Sequence, residues 1–241
     1  MKKILICFIG TGDYLNFLPN YYNKIMENLC PDCEKDLLVL TDGEVNDLPD
    51  NIIHVHTDHK EWPYITLERF KIIDESSKLI KNYDWFLFLD ADTIVNQTVE
   101  YDEIFDDSKD YIGVHHPCHF MKWPPHTERY GSFDTTNSRA SVDDSDDLSI
   151  YWLGCLWGGK VPQVLNLISE LKNRVDLDLK DDIIALWHDE SHLNKFFIEN
   201  KLRVNTLSPS FAYPEEYDSD AKEFFESKIV HLSKNNSKFH S

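Results

Sequence analysis

The stretch that decides the fold is FLFLDADTIV, residues 86–95, in which an apolar run ends at two aspartates. Residues 85–89 form the most strand-like segment of the chain, and Asp90 and Asp92 follow directly. Side chains two positions apart share one face of an extended chain, so both carboxylates can point toward one cation. Carboxylate oxygens suit Mg²⁺ or Mn²⁺. The segment predicts a strand that ends in a metal site, although acidic pairs also arise by chance in a chain with 43 Asp and Glu residues.

Further apolar runs predict strands on both sides of this segment, at residues 4–9, 37–40, 52–55, 111–115, 150–159 and 202–207. Apolar residues at spacings of three and four predict helices between them, at residues 17–29, 66–80, 161–173 and 182–200. Apolar strands that alternate with helices are typical of an α/β fold with a mostly parallel central sheet flanked by helices. Ligands of such sheets bind beyond the carboxyl ends of the strands, where the two aspartates lie.

The chain reads as one domain, residues 1–241, with three parts. Residues 1–115 have the outline of a nucleotide-binding half. The second half, 116–230, opens with a loop over 116–148 that is rich in Pro, Ser, Thr and Asp. Residues 231–241 are polar, basic and without periodicity, so we expect a mobile tail that becomes ordered on a ligand.

Composition excludes some functions. The net charge of −19 argues against binding to nucleic acid, because no basic stripe is present. No segment approaches the roughly 18 apolar residues of a transmembrane helix. The first residues resemble a signal peptide, but the apolar run of residues 4–9 is too short. Five cysteines, an odd number, are typical of reduced thiols, so we expect a soluble cytoplasmic protein.

A second group of chemically active residues lies in WHDESHLNKFF, residues 187–197. On a helix, His188 and His192 would share a face, as the two zinc ligands of the H-E-x-x-H motif do. Here Asp189 follows the first histidine, and Glu190 would point away from that face. A zinc hydrolase and a solvated helix face are both consistent with this pattern.

The same segment, followed by LSPSFAYPE (207–215), resembles the signature of family-6 glycosyltransferases. That family includes the histo-blood-group A and B transferases and α1,3-galactosyltransferase. Other segments are similar to family motifs in the same order, namely IGTGDY (9–14), WPYITLERF (62–70), LDADTI (89–94), HHPCHF (115–120) and YWLGCLWGG (151–159). The resemblance implies a nucleotide-diphospho-sugar transferase fold of the GT-A type.

The resemblance implies roles in binding a UDP-sugar donor, UDP-galactose or UDP-N-acetylgalactosamine. Asp90 and Asp92 would hold Mn²⁺ (or Mg²⁺) against the diphosphate, which Lys234 would also grip. Arg69 would lie beside the metal motif and the donor sugar. The residues that would line the uridine site are Ile9, Thr11 and Tyr14. Those that would select the sugar are Leu153, Gly154 and Cys155.

The resemblance also implies acceptor-binding and catalytic roles. His116, Trp187 and Glu190 would contact the oligosaccharide acceptor. Asp189 and Glu190 would face the reacting sugar carbon, with Arg69 beside them. The implied reaction forms an α-1,3 linkage to a galactose-containing glycan, fucosylated or not, with retention of configuration. Glu190 would be either a nucleophile or the group that stabilises an oxocarbenium-like state.

Some family features are altered, which leaves alternatives open. Cys118 stands where glycine is usual after His-Pro, and the loop over 116–148 contains only fragments of the family's motifs. The acceptor therefore stays open, and a non-catalytic sugar-nucleotide or glycan-binding module of the same fold is an alternative. Leu153 resembles the residue of the A-type transferase, which implies N-acetylgalactosamine as the donor sugar. Cys155 is bulkier than the glycine usual at its position, and this crowding favours galactose.

Overall fold

The strands form two sheets in a computed structural model that describes residues 2–46, 49–122 and 132–234. The strands are β1 (Lys3–Ile9), β2 (Glu34–Thr41), β3 (Ile52–His56), β4 (Trp85–Leu89), β5 (Thr93–Val95), β6 (Tyr111–His115), β7 (Trp152–Lys160), β8 (Val204–Leu207), β9 (Tyr213–Pro214) and β10 (Ile229–His231). Seven of them build the main sheet in the order β3-β2-β1-β4-β7-β6-β8, and β5-β10-β9 build a small one.

Helices connect these strands and cover the main sheet. They are α1 (Leu18–Asn28), α2 (Tyr64–Leu67), α3 (Arg69–Asp74), α4 (Ser77–Ile80), α5 (Tyr101–Ile104), α6 (Pro117–Met121), α7 (Val161–Lys180), α8 (His188–Glu199) and α9 (Asp218–Ala221). The single helix predicted over 66–80 is three short helices, because the backbone leaves the helical region at Glu68 and again at Ser76. Within the described residues, no helix combines the length and the apolar character that a membrane span requires.

The predicted mostly parallel sheet is confirmed, with one reversed strand in its middle. Strands β3, β2, β1 and β4 are parallel neighbours, and β6 is parallel to β8. Strand β7 runs antiparallel to both β4 and β6. Its reversed direction places residues 153–155 beside the carboxyl end of β4, where the Asp90 N–H donates to the Cys155 carbonyl at 2.9 Å.

Both faces of the main sheet are buried along β1 and β4, which explains why these two strands are almost entirely apolar. In β1, Ile4, Ile6 and Phe8 pack into the core on the α1 side. Leu5 and Cys7 pack into the core on the opposite side, which α3 and α7 cover. Alternate side chains of a strand point to opposite faces, so each strand contributes to both cores. All five cysteines lie among the described residues and carry free thiols.

Polar contacts connect the loop of the second half to α7 and to the segment just before α8. After α6, the loop approaches α8 where Asp134 accepts a hydrogen bond from the Leu186 N–H at 2.8 Å. Arg139 joins the loop to α7 through an ion pair with the buried Asp178 at 2.8 Å. The predicted tail starts at His231, which ends β10, and residues 235–241 lie outside the described part of the chain.

Candidate functional site

The carboxyl ends of β1 and β4 open into a pocket, called here the β1 pocket. It contains the residues expected at the uridine site and the metal, together with Arg69 and Lys234. The lining residues that the sequence predicted are Ile9, Thr11, Tyr14, Arg69, Asp90, Asp92 and Lys234. The structure thus brings residues from four separate segments to one pocket.

Two further pockets continue the β1 pocket toward α8 and α6. The central pocket shares Arg69 and Asp90 with the β1 pocket and is also lined by residues 153–155 of β7 and residues 187–190 of α8 and its start. The α6 pocket shares Leu153, Trp187 and Glu190 with the central pocket and adds His116. The three pockets form one continuous cleft across the end of the sheet.

Asp90 and Asp92 lie next to His231, a residue that the sequence analysis did not select. One ligand atom from each of the three residues lies within 4.8 Å of the other two. The Asp92 side chain is only 1% exposed, and Lys234 forms an ion pair with it. Burial acts to raise the pKa of Asp92, but His231 and Lys234 hold this pKa below its ordinary value. Buried, negatively charged oxygen ligands beside an imidazole fit a divalent cation.

Arg69 joins the aspartate motif to α8. Its guanidinium lies 3.0 Å from an Asp90 oxygen and 2.9 Å from an Asp189 oxygen, and it donates to the Gly154 carbonyl at 3.1 Å. The guanidinium carbon lies 4.4 Å from the centre of the Phe88 ring. Because planar guanidinium groups bind carboxylates with fixed geometry, Arg69 sets the positions of both carboxylates.

Glu190 is held by two hydrogen bonds at the junction of the central and α6 pockets. The Tyr151 hydroxyl donates to Oε1 at 2.7 Å, and the Gly154 N–H donates to Oε2 at 2.7 Å. Burial raises the pKa of Glu190 to about 7, although both hydrogen bonds oppose this rise. Burial also raises the pKa of Asp189 to about 6, against the effect of Arg69. A carboxylate with such a pKa in a cleft is typical of an active site.

A side chain at position 154 would crowd Glu190, which approaches the backbone closely there. A Cβ atom placed on Gly154 would lie 3.3 Å from both Cβ and Oε2 of Glu190. On either side of Gly154, Leu153 lines the central and α6 pockets and Cys155 lines the central pocket. The three positions expected to select the donor sugar therefore lie against the carboxylate that the sequence predicts to be catalytic.

Asn194 connects the start of α8 to β7, and the backbone at His188 has an unusual conformation. Asn194 Oδ1 accepts from the Trp152 N–H at 2.8 Å, and Nδ2 donates to the carbonyls of Trp152 at 2.7 Å and of Glu190 at 2.9 Å. His188 has a φ of 51°, which is strained for a residue other than glycine. Strain of this kind is concentrated at functional sites, and here it occurs where the chain enters the cleft.

His188 and His192 do not form the zinc site that their spacing suggested. The left-handed backbone of His188 takes its ring off the regular helix, and the ring centre lies 5.2 Å from that of Trp62. His192 is fully buried, 3.4 Å from Asp178. Among the described residues, the only group of three potential metal ligands contains neither histidine.

His116 lies in the α6 pocket, where its side chain caps α6. Its Nδ1 accepts from the Cys118 N–H at 3.1 Å. Burial lowers the pKa of His116 to about 3, so the ring is neutral at physiological pH. A neutral imidazole whose Nδ1 accepts a hydrogen bond carries its proton on Nε2, which can donate to an oxygen atom.

Several residues of the cleft were missed by sequence reasoning. His231 reaches the aspartates only because β10 pairs with β5, and Tyr151 reaches Glu190 across 39 positions of the chain. His59 lines the β1 pocket, where its Nδ1 lies 3.0 Å from the Thr11 hydroxyl. Only Tyr151 carried a usable signal, since it starts the YWLGCLWGG segment.

Comparisons with known proteins identify a family and a bacterial relative that match most of the chain. The model of the family described as Glycosyltransferase family 6 matches residues 43–241. The chain is 27% identical over 227 residues to the O-antigen biosynthesis glycosyltransferase WbnI of Escherichia coli. This match covers 91% of the present chain and 92% of WbnI.

Two vertebrate relatives match over shorter stretches. The chain is 24% identical over 163 residues to the globoside alpha-1,3-N-acetylgalactosaminyltransferase 1 of Homo sapiens, covering 65% of this chain and 43% of that protein. It is 34% identical over 71 residues to the histo-blood group ABO system transferase 2 of Rattus norvegicus, covering 30% and 21%. The chain thus spans less than half of these vertebrate proteins.

Proposed function

The chain belongs to glycosyltransferase family 6, and from this membership we propose that it moves galactose or N-acetylgalactosamine from a UDP-sugar to a galactose-containing glycan. The new linkage is α-1,3, and the configuration of the donor is retained. One observation carries the proposal: Glu190 is held by two hydrogen bonds at the junction of the central and α6 pockets. A donor sugar and an acceptor hydroxyl can both reach that carboxylate.

The β1 pocket is the proposed site of the UDP portion of the donor. Tyr14 and Thr11 offer an aromatic face and a hydroxyl to the nucleoside. The Lys234 ammonium lies 4.8 Å from the centre of the Tyr14 ring, on the side of the aspartates. Its positive charge suits a diphosphate in a chain whose net charge is −19.

Asp90 and Asp92 are the proposed ligands of Mn²⁺, or of Mg²⁺. Such a cation, when bound, neutralises the charge on the departing UDP as a Lewis acid. Arg69 keeps Asp90 in place through its contact at 3.0 Å and adds a fixed positive charge to the same end of the cleft. A divalent cation and a positioned arginine together favour release of an anionic leaving group.

Glu190 is the proposed catalytic carboxylate, assisted by Asp189 and Arg69. In one route, Glu190 attacks the anomeric carbon as UDP leaves, and the acceptor hydroxyl then displaces Glu190. In the other, the acceptor attacks from the side of the leaving group while Glu190 stabilises the positive charge on the sugar. Both routes require ionised Glu190, which the hydrogen bonds from Tyr151 and Gly154 favour.

The α6 pocket is the proposed acceptor site. His116 and Trp187 line it, and Glu190 lies between it and the central pocket. The bacterial relative WbnI, which the chain matches over nearly its full length, is named for O-antigen biosynthesis. We therefore expect the acceptor to be an oligosaccharide that is being built into a surface polysaccharide.

The test is a turnover assay with both donors. Purified protein with Mn²⁺ is given UDP-galactose or UDP-N-acetylgalactosamine together with an array of galactose-containing glycans, and released UDP is measured. The anomeric proton of the product should show the α configuration by NMR. If UDP binds but no acceptor increases its release from either donor, the protein is a binding module rather than a transferase.

The pH dependence of kcat/KM should reflect the ionisation of Glu190. Because burial raises its pKa to about 7, kcat/KM should fall as the pH drops below about 7. Tyr151→Phe removes a hydrogen bond that favours the charged form, so the acid limb should move to higher pH. Tyr22→Phe, which removes a hydroxyl bound to Asn51, is the matched control. An acid limb that does not move in Tyr151→Phe would contradict the assignment.

Lys234→Met should weaken binding of UDP by about tenfold, because it removes a positive charge near the expected diphosphate. Isothermal titration calorimetry with UDP and Mn²⁺ measures the effect. Lys222→Met, at an exposed position, should bind UDP as the wild type does. Equal UDP affinities of the wild type, Lys234→Met and Lys222→Met would show that Lys234 does not contribute to the donor site.

A further inference from the structure

His231 faces the two aspartates across a gap that is too wide for direct hydrogen bonds. Its Nε2 lies 3.5 Å from Oδ1 of Asp92 and 3.9 Å from Oδ2 of Asp90. Strong hydrogen bonds between nitrogen and oxygen are about 2.7 to 3.2 Å long. Ligand atoms bound to one ion at about 2.1 to 2.3 Å lie roughly 3 to 4.5 Å apart. Both distances from His231 are therefore those expected between ligands of one ion.

One oxygen of each carboxylate, called here the outer oxygen, already contacts a positively charged side chain. Oδ1 of Asp90 lies 3.0 Å from a nitrogen of Arg69, and Oδ2 of Asp92 is paired with Lys234. The inner oxygens, Oδ2 of Asp90 and Oδ1 of Asp92, are the ones nearest to His231. Outer partners of this kind orient metal ligands in proteins and fix which atoms face the metal.

Backbone pairing fixes His231 in this place. It pairs with Thr93 in the antiparallel ladder of β10 and β5, and the next N–H, of Leu232, donates to the Asp92 carbonyl at 2.8 Å. The ring is 33% exposed, so an ion can reach it from the cleft. A ligand built on paired strands is positioned more rigidly than one on a free tail.

We propose that His231 is the third protein ligand of the cation held by Asp90 and Asp92, and that it makes the site prefer Mn²⁺ and Co²⁺ to Mg²⁺. This inference deepens the proposed function, on which it rests for the need of a metal. Imidazole nitrogen binds first-row transition metals well, whereas Mg²⁺ prefers oxygen ligands and retains its water. A site with two carboxylates alone would lack this preference.

The position of His231 also links the metal to the donor. Lys234, which we place at the diphosphate, lies three residues further along the same segment. Coordination of His231 would hold the start of that segment against β5 while Lys234 engages the donor. Metal binding and donor binding should therefore support each other.

Binding of the metals alone, without nucleotide, tests the proposal. Free Mn²⁺ is measured by electron paramagnetic resonance during titration of wild type, His231→Ala and His54→Ala, an exposed histidine of β3 that serves as control. His231→Ala should lose at least about tenfold in Mn²⁺ affinity, whereas His54→Ala should not change. Mg²⁺, measured by competition, should lose less than about threefold in His231→Ala.

The visible spectrum of bound Co²⁺ gives a second readout, which reports its ligands directly. His231→Ala should change this spectrum, and His54→Ala should leave it as in the wild type. Equal Mn²⁺ affinity and an unchanged Co²⁺ spectrum in a folded His231→Ala variant would overturn the proposal. Because neither measurement uses a donor or an acceptor, a failure of the proposed transferase activity would leave this result readable.

Discussion

Glu190→Gln should lower kcat by roughly 10³-fold while leaving the affinity for UDP unchanged. Glutamine has the size of glutamate, and its amide can accept from the Gly154 N–H and donate to the Tyr151 oxygen, so the fold should be kept. What is lost is the negative charge at the junction of the central and α6 pockets. Steady-state rates with the preferred donor, together with calorimetric UDP binding, measure the two effects separately.

Glu199→Gln is the control for this substitution, since Glu199 lies at the end of α8 and pairs with Arg174 away from the cleft. It should transfer sugar at the wild-type rate. If Glu190→Gln instead lowers kcat and UDP affinity by equal factors, Glu190 binds the donor and does not take part in the chemical step. Detection of a glycosylated Glu190 by mass spectrometry would favour the double-displacement route.

Asp92→Asn should reduce kcat/KM by about 10³-fold and abolish the dependence of UDP binding on Mn²⁺. The substitution keeps the shape of a side chain that is 1% exposed but removes the charge that His231 and Lys234 surround. Binding of Mn²⁺ and transfer rates, each with and without EDTA, measure the loss. A thermal unfolding curve close to that of the wild type would show that the protein is still folded.

Asp144→Asn, on an exposed loop, should behave as the wild type in all of these assays. Wild-type activity that persists in EDTA would refute metal-assisted release of UDP. In that case positively charged side chains would have to stabilise the departing UDP. Among the described residues, Arg69, Lys234 and Lys60 line the β1 pocket, and the ammonium of Lys60 is already paired with Glu68.

The sequence predicted the features that depend on neighbours along the chain. The bounds of β4 and β6 were predicted correctly, because strands buried on both faces appear as continuous apolar runs. The position of Asp90 and Asp92 at the end of β4 followed from the same pattern. The family resemblance then grouped residues 9–14, 69, 153–155, 187–190 and 234, and the structure places all of these segments around one cleft.

Features that arise from pairing between distant segments could not be predicted in this way. Strand β7 is antiparallel, and nothing in its apolar run specifies its direction. His231 ends a strand of three residues, which is too short for a periodic pattern. The i, i+4 spacing of His188 and His192 suggested a shared face, but the left-handed conformation of His188 removed its ring from the regular helix.

The three hydrogen bonds of Asn194 have a consequence for how a new sugar preference can evolve. Two of them join α8 to Trp152 of strand β7, and the third binds the Glu190 carbonyl within α8. The positions proposed to select the sugar are therefore linked directly to the proposed catalytic carboxylate. A mutation that changes the side-chain volume at position 153 or 155 should therefore also shift the carboxylate of Glu190. Variants with a changed donor preference should therefore have a lower kcat at first. Further substitutions that restore the position of α8 should raise kcat again.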